Sequence, residues 1–534
     1  MAFNIKTQVE IPDDEGVHVK SAGAKGEKYV YKYVKYFRND SGKPRNKAKS
    51  IGKYDEDTGK MFPNDNYFEM YNIDPSLSDI TVLDYGYSYI VLKACRDMKL
   101  FECLSNAFGE KRAMDILVMA AYIIREGNAM DGIDDWQIRN YFPDYSRILN
   151  SPTTTKIFGD LTARQVNNFF ISWVKAAKCA GTVCYDVTSI SSYAQQMSTV
   201  ERGYNRDGEN LAQFNLGMFC DETSKIPLYY NRYNGSLTDR TNLSYVLANA
   251  KAVGIDHVKM VVDGGFGDEN CFTALNKLCS SFIVGLPPNL QESKDILDDH
   301  AEGIANYENE LRLPYTYCVP VETEIRSVSG KVLLYFDAQN HMQLCNELSE
   351  KINRLNAELA ALKRYPKSKL SRYEPYFVIT KHDSDSGFDY HVDVEKVNNA
   401  RKRKGFFMIF TTDMDATPED TLFHYRAKDV VEKLFDQIKC DMEGNRIRTH
   451  NEQTTDGKVF VTFIACVIRT YLLNKLSRHL TDSSTSLKKA LSQLSNITII
   501  SGQGGFRFTK ALTKKQKSIL KSFAADKAIL SSLQ

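Results

Sequence analysis

The chain has 534 residues, of which 43% are hydrophobic and 25% are charged. This length is too great for one hydrophobic core, so several domains, or a core with a large insertion, are expected. The net charge of +2 excludes a general polycation, and any affinity for nucleic acid must come from local basic patches. Eleven cysteines without a Cys-x-x-Cys pair argue against structural zinc and are typical of reduced thiols. Residues 1–15 show no signal-peptide pattern, so we expect a cytoplasmic protein.

A basic, tyrosine-rich hairpin is predicted near the N-terminus, within a basic β-rich module of residues 1–75. Residues 29–37 are β-prone, residues 39–42 form a turn signal, and residues 45–53 form the second strand. Between residues 20 and 60 there are twelve Lys or Arg against five Asp or Glu, interleaved with tyrosines. This mixture suits the backbone of a nucleic acid, and a solvated hairpin face explains it equally well.

The next region, residues 76–178, is predicted to be helical and to bind DNA. After it the pattern changes to short apolar strands and one helix, which we place at residues 182–187, 214–220, 227–233, 239–253 (the helix), 258–263 and 281–285. The order of three strands, a helix and two strands, followed later by an acidic helix, is typical of a ribonuclease-H-like α/β sheet. We therefore predict that residues 179–285 and 405–480 form the two parts of a ribonuclease-H-like core.

Residues 286–404 interrupt this pattern and are predicted to form a β-rich insertion domain. The segment also contains a predicted helix, residues 341–364, with a stripe formed by Leu344, Leu348, Ile352, Leu355, Leu359 and Leu362. Such a stripe is either a dimer seam or one flank of a packed domain. Residues 457–476 form a strongly apolar core helix, and residues 481–534 form a helical, mildly basic C-terminal tail.

A predicted helix over residues 425–439 carries the most informative pattern. At 100° per residue, four polar side chains fall within about 60° of one another, namely Tyr425, Lys428, Glu432 and Lys439. The apolar residues occupy a separate sector, namely Val430, Val431, Leu434, Phe435 and Ile438. Amines and a phenol around an acid suit a metal-bound phosphate, although a plain amphipathic surface helix scatters charges in the same way.

Two upstream acids, Asp186 and Asp263, end predicted buried strands, and Gly264-Gly265 follows the second. Carboxylates that share a site repel one another unless a cation neutralises them. Together with Glu432 they could hold two Mg²⁺ or Mn²⁺ ions. Each acid also has a structural explanation, because Asp186 could cap the turn at Thr188 and Asp263 could begin the glycine turn. Three further acids lie nearby. Asp268 and Glu269 suit a helix N-terminus, and Asp436 competes with Glu432 as a ligand.

These residues resemble the DDE transposases of bacterial insertion sequences, in the branch with a β-rich insertion before the catalytic Glu. The signature of that branch is Tyr, two residues, Arg, three residues, Glu, six residues, Lys. Tyr425, Lys428, Glu432 and Lys439 meet this spacing, with Lys428 in place of Arg. Lys keeps the charge but lacks the bidentate fork, and Arg426 is a candidate for part of the lost contact. Further similar segments are residues 186–189, 203–207, 235–239, 262–266 and 443–450.

The resemblance implies a cut-and-paste enzyme of the bacterial cytoplasm and nucleoid that acts as a homodimer on double-stranded DNA. It would bind inverted-repeat ends, cleave them with metal-activated water and transfer the freed 3′ ends to target DNA. Asp186, Asp263 and Glu432 would be the catalytic metal ligands, and the DNA-binding residues would be Tyr425, Arg426, Lys428 and Lys439. A hairpin intermediate in the nearest branch needs an aromatic ring to hold a flipped base, for which Phe266 or a tyrosine of the insertion is a candidate.

Two alternatives stay open at this point. One is a transposase-derived DNA-binding protein without catalysis, and the other is a ribonuclease-H-like nuclease without strand transfer. The complete set of three acids argues against the first. The insertion and the basic hairpin favour a paired-end complex over simple nicking.

Overall fold

The computed structural model describes residues 8–22, 26–73, 81–179, 181–194, 197–382, 387–501, 507–509 and 511–531. Two compact units share the chain. The first unit comprises residues 1–93, 134–148 and 475–534, and the second comprises residues 94–133 and 149–474. Each unit combines segments that are distant in sequence. The domains predicted from the sequence are contiguous ranges and do not correspond one to one with these units, so their boundaries stay predictions.

The helices and strands follow one another in chain order. Those of the N-terminal third are β1 (Val17–Ser21), β2 (Lys28–Arg38), β3 (Pro44–Tyr54), β4 (Met61–Pro63), α1 (Asp65–Met70), β5 (Thr81–Asp84), α2 (Gly86–Asp97), α3 (Leu100–Phe108), α4 (Glu110–Glu126), α5 (Ile133–Arg139), α6 (Ser151–Asp160) and α7 (Ala163–Ala177). Those of the middle are β6 (Thr182–Ser191), β7 (Gln213–Asp221), β8 (Pro227–Asn234), α8 (Asp239–Ala252), β9 (Lys259–Val262), α9 (Glu269–Leu278), β10 (Ser281–Leu286), α10 (Gln291–His300), β11 (Thr316–Ile325), β12 (Val328–Asp337), α11 (Ala338–Ala361), α12 (Leu370–Tyr373), β13 (Phe377–Lys381), β14 (Phe388–Val392) and α13 (Val394–Lys402). Those of the C-terminal part are β15 (Phe406–Thr411), α14 (Pro418–Ala427), α15 (Asp429–Asp436), α16 (Glu452–Asp482), α17 (Leu487–Ser495), β16 (Thr498–Ser501), β17 (Arg507–Thr509), α18 (Lys514–Lys521) and α19 (Ala528–Ser531).

In the first unit, β1 to β4 form an antiparallel sheet in sequential order. The predicted hairpin is confirmed as β2 and β3, which pair over almost their whole length. Val30, Ile51 and Met61 are fully buried and form a small core on one face of this sheet. The far end of the hairpin carries no such core, and its residues from Val34 onward on β2 are exposed.

A second sheet of the first unit corrects the prediction that the C-terminal tail is wholly helical. β16 pairs with β17 on one side and with β5 on the other, in the order β17–β16–β5. The segment Thr498-Ile499-Ile500 is β-branched throughout, which favours a strand over a helix. The same pairing corrects the prediction that residues 76–178 are wholly helical, because β5 lies inside that range. Residues 76–80 lie outside the described residues.

The main sheet of the described chain belongs to the second unit and has eight strands in the order β11–β12–β15–β10–β9–β6–β7–β8. β6, β7 and β8 are antiparallel neighbours, whereas β9 and β10 run parallel to β6. The strands predicted between residues 182 and 285 are all present. β6 is longer than predicted, because Thr188 to Ser191 continue to pair with β7. Asp186 therefore lies within a strand rather than at its end.

Residues 286–404 contribute to the same sheet as well as to a small core of their own. β12 pairs with β15, so the hairpin β11–β12 extends the main sheet at one edge. Leu355 and Leu359 of α11 pack with Tyr373 and Phe377 in a separate cluster. The segment contains the 24-residue helix α11 in addition to four strands, so "β-rich" describes it only in part. The leucine stripe is used for this packing, which favours the flank explanation over a dimer seam.

Helix α16 is the predicted core helix and is long and apolar enough to span a membrane by length and composition. Of its most apolar window, 78% is buried inside the protein. Phe460, Val461, Ile464 and Ile468 are fully buried. This extent of burial is typical of a helix at the centre of a folded domain.

An ionic cluster fixes the start of α16 to the main sheet. Arg232 of β8 donates hydrogen bonds to Glu452 (2.7 Å) and Asp456 (2.8 Å), and Glu452 also accepts from the backbone amide of Thr199 at 2.9 Å. Burial opposes ionisation of Glu452, but the Thr199 amide and the Arg232 guanidinium outweigh it and lower its pKa from 4.5 to about 2. The ionised carboxylate is therefore favoured in the folded protein.

Replacing Glu452 with Gln is expected to lower stability at neutral pH by about 2 kcal/mol, because a charge-assisted contact is lost. The folded-state pKa is depressed, so the stabilisation is present above pH 4.5 and disappears as the pH falls towards 2. Thermal unfolding at pH 7 and at pH 3 measures both effects, and the variant should lose less on acidification than the unmodified chain. Glu350→Gln, on the exposed side of α11, is the control. An unchanged acid dependence in Glu452→Gln would contradict this account.

Candidate active site

Asp186 and Asp263 are neighbours across the main sheet. β6 and β9 are parallel, and their register pairs Tyr185 with Val262; Asp186 is the next residue on β6, and Asp263 is the residue directly after β9. Parallel strands end at the same edge of a sheet, where side chains project into the crevice beyond it. Both aspartates line an open cleft of about 1290 Å³ at this edge. The structure therefore brings together the two acids that the sequence singles out.

Lys428 lies between the second aspartate and the predicted third acid. Its Nζ donates a hydrogen bond to Asp263 Oδ1 at 2.6 Å and another to Glu432 Oε1 at 3.3 Å. The Tyr425 hydroxyl lies 3.5 Å from the same Asp263 oxygen. A Cβ at Gly285 would collide with this hydroxyl, so the glycine in β10 is what lets the tyrosine approach the strand. Tyr425, Lys428 and Glu432 are thus placed at the edge that carries the aspartates.

The carboxyl groups of the two aspartates differ in pKa. Burial raises the pKa of Asp186 to about 6, and the charge of Asp263 adds to the increase against the opposing Val187 amide and Lys428. Burial also opposes ionisation of Asp263, but the contact with Lys428 outweighs it and lowers the pKa of Asp263. Burial raises the pKa of Tyr425 to about 12, so its phenol is neutral at physiological pH. A cation in the cleft would stabilise the charged form of Asp186 most, because that carboxylate has the least local compensation.

The signature segment is not the single regular helix that the sequence predicts. It is divided into α14 and α15 at Lys428, and residues Gln437–Asp441 form a π-helical turn. The wider turn rotates the residues beyond Asp436 relative to a regular helix. The buried face is nevertheless as predicted, because Val431, Leu434 and Phe435 are buried.

Lys439 contacts the loop of residues 203–207 rather than the aspartates. Its Nζ contacts both carboxylate oxygens of Asp207, at 2.7 and 2.6 Å. Asp207 belongs to the loop of residues 203–207 that resembles the transposase pattern. Arg426 also lies elsewhere, because it is 100° around the helix from Tyr425 and lines a different cleft with Glu419 and Lys433. The structure does not gather the four predicted DNA-binding residues at one point.

Two residues of the cleft, Tyr204 and Arg206, are not among the site residues predicted from the sequence. Tyr204 is 82% exposed and lines the cleft beside Asp186. Arg206 pairs with Asp239 and donates to the Ser189 hydroxyl, which brings its charge close to Asp186. Their signal in the sequence was the 203–207 segment, whose side chains had no assigned role. Phe266, a candidate for holding a flipped base, is 3% exposed and packs on Tyr185, so it is not available for stacking.

The carboxylates of Asp186 and Asp263 fit a hard divalent cation, but Lys428 lies between Asp263 and the third predicted ligand, Glu432. Asp186 and Asp263 supply adjacent carboxylates of the kind that Mg²⁺ and Mn²⁺ prefer. Within the described ranges, no three His, Cys, Asp or Glu side chains converge as a metal site. The Lys428 ammonium stands between Asp263 and Glu432 and neutralises both. Asp268 caps α9 by accepting from the Cys271 amide at 2.9 Å, as a helix N-terminal acid does. Asp436 is exposed on α15.

The fold and this site define the class of protein: an α/β protein with a large mixed sheet and paired aspartates at the edge of its parallel strands. Residues 177–468, more than half of the chain, match the family model described as "Transposase DDE domain". The chain therefore belongs to the DDE transposase family and is a transposase enzyme. DDE transposases generally use divalent metal ions.

Among solved structures, the chain is similar to the one titled "Cryo-EM structure of piggyBac transposase synaptic complex with hairpin DNA". The sequence identity is 12% and the TM-score is 0.35, over 72% of this chain and 70% of that chain. No curated protein matches the sequence significantly.

Proposed function

We propose that this protein is the transposase of a bacterial insertion sequence and catalyses cut-and-paste transposition of double-stranded DNA. The observation that carries the proposal is the adjacency of Asp186 and Asp263 on parallel strands, in a chain of the DDE family. The proposed partners are the inverted-repeat ends and target DNA, and the proposed location is the bacterial cytoplasm at the nucleoid. Two ends must be cut in register, which a homodimer accomplishes.

The strand order supports a ribonuclease-H-like core. Read outward from β6, the antiparallel strands β7 and β8 lie on one side and the parallel strands β9 and β10 lie on the other. The segment α14–α15 follows after residues 286–404; α14 contacts β9 and β10, and α15 contacts β6 and β7. In this arrangement residues 286–404 form an insertion between the fifth core strand and the helix that carries Glu432.

Asp186, Asp263 and Glu432 are the proposed metal ligands. Two Mg²⁺ or Mn²⁺ ions bound there would activate the attacking oxygen and stabilise the departing one. Lys428 contacts Asp263 and Glu432, and it is also close enough to the acids to contact the phosphate that is cleaved. Tyr425 orients Asp263 through its neutral hydroxyl, and Tyr204 offers an exposed ring beside the cleft.

Cleavage of the DNA that flanks the gene, by purified protein with Mg²⁺, tests the proposal. We expect metal-dependent nicking at discrete ends. Glu432→Gln should lose cleavage by about a hundredfold or more while it retains DNA binding, because the amide keeps the shape but not the charge of the acid. Asp436→Asn, one turn further on and exposed, is the matched control and should stay active. DNA binding without cleavage by the unmodified protein would instead indicate a catalytically inactive DNA-binding protein.

A further inference from the structure

The exposed end of the β2–β3 hairpin carries an unusual arrangement of charge. Lys35 is paired directly with Lys47. Lys49 lies opposite Lys32, whose charge is neutralised by Asp14 at 2.8 Å. Like charges opposite one another across an antiparallel pair destabilise it. The Lys35–Lys47 pair therefore does not stabilise the sheet, and a binding role for its charge explains it better than a structural one.

The lysines at this end have no acid to neutralise them, unlike the lysines nearer the core of the sheet. Lys28, Lys32, Lys53 and Lys60 each form a salt bridge within the sheet or beside it. By contrast, the exposed cations of the hairpin end contact no carboxylate among the residues that the structure describes, and these cations are Lys35, Arg38, Lys43, Arg45, Lys47 and Lys49.

Four of these cations share one face of the hairpin. Lys35 lies opposite Lys47, and Phe37, two residues beyond Lys35, lies opposite Arg45, so Lys35, Arg45 and Lys47 project to the same side. Lys49 is two residues beyond Lys47 and joins them. Residues two apart on a strand are separated by about 6.8 Å, so Arg45, Lys47 and Lys49 form a row about 13 Å long. We call this set, Lys35, Arg45, Lys47 and Lys49, the cationic row.

We propose that the cationic row docks the β2–β3 hairpin on the phosphate backbone of a DNA duplex. A regular row of cations matches the regular charge of the duplex, and a two-stranded antiparallel ribbon is narrow enough to enter its major groove. Phe37, 45% exposed, lies on the same face at the hairpin end, where it would meet the sugar or base edges. The proposal rests on the proposed function and adds to it a DNA contact formed entirely by the first unit, separate from the aspartate cleft.

Binding of the full-length protein to a mixed-sequence DNA duplex of about 30 base pairs, measured by fluorescence anisotropy at several salt concentrations, tests the cationic row. For Lys35→Gln/Lys47→Gln we expect affinity at low salt to fall by about tenfold or more, and the slope of log K against log salt to decrease by about 1.8. The thermal stability of this double variant should stay equal or rise, because a like-charged pair is removed.

Lys53→Gln/Lys60→Gln is the matched control, since it changes the net charge equally but at lysines that are already paired with Glu27 and Glu10. An equal loss of affinity in both double variants would overturn the proposal, and so would an unchanged salt slope in the first. In either case the unmodified protein still binds DNA, and the proposed function stands. Failure of the unmodified protein to bind duplex DNA would reject both. Tighter row-dependent binding of single-stranded RNA than of the duplex would overturn the assignment to DNA.

Discussion

Replacing Asp263 with Asn is expected to reduce DNA strand cleavage by about a thousandfold or more, the equivalent of several kcal/mol of transition-state stabilisation. The amide cannot neutralise a divalent cation as a carboxylate does, and Asp263 is the acid that touches both Lys428 and Tyr425. Its pKa is lowered, so the acid that is removed is ionised in the folded protein. Single-turnover cleavage of labelled end DNA measures the effect on the chemical step.

Asp268→Asn is the matched control for this experiment. Asp268 lines the same cleft and caps α9, and Asn is an equally good capping residue. The control should therefore keep both its fold and its activity. Comparable losses in the two variants would show that general charge in the cleft, rather than the position of Asp263, controls cleavage.

Substitution of Lys428 is expected to cause the second large loss of DNA cleavage. Lys428→Met removes the cation that lies between Asp263 and Glu432, and we expect cleavage to fall by about a hundredfold, as for loss of one preorganised donor at a reacting phosphate. Lys428→Arg retains the charge and adds a bidentate fork, as in the signature that the sequence resembles. That variant should keep most of the activity or exceed it.

The comparison of these two variants separates charge from shape. DNA affinity and cleavage rate should both be measured, because a phosphate contact affects the first and a contact made only during reaction affects the second. Full activity of Lys428→Met would contradict the placement of this residue at the reacting phosphate. Loss of activity in Lys428→Arg with retention in Lys428→Met would show that the space between the acids, not the charge, is what matters.

The aspartates could be found from the sequence because their signal is local. Each follows a short run of buried β-branched or apolar residues, and Gly264-Gly265 marks the end of β9. The strand pattern from residue 182 to residue 285 was predictable for the same reason. The adjacency of Asp186 and Asp263 also follows from the strands, once β6 and β9 are recognised as parallel neighbours.

Other features depend on packing between distant segments, and the sequence pattern does not contain them. The π-helical turn at Gln437–Asp441 contains Lys439, which contacts Asp207, a residue more than two hundred positions earlier. β5 and β16 form a strand pair only because the chain near residue 498 lies beside residues 81–84 in the fold. Propensity alone cannot reveal such pairings, because each short segment is stabilised mainly by its partner.

The central claim is that Asp186 and Asp263 form the metal-binding acids of a DNA-cleaving site, and a change of metal preference tests it most directly. Asp263→Cys replaces a hard oxygen ligand by a softer thiolate, which Mn²⁺ accepts better than Mg²⁺ does. We expect this variant to cleave end DNA poorly with Mg²⁺ and to recover with Mn²⁺, while the unmodified protein is active with both. A folded, DNA-binding variant that is equally inactive with either ion, or fully active with Mg²⁺, would contradict metal ligation by Asp263.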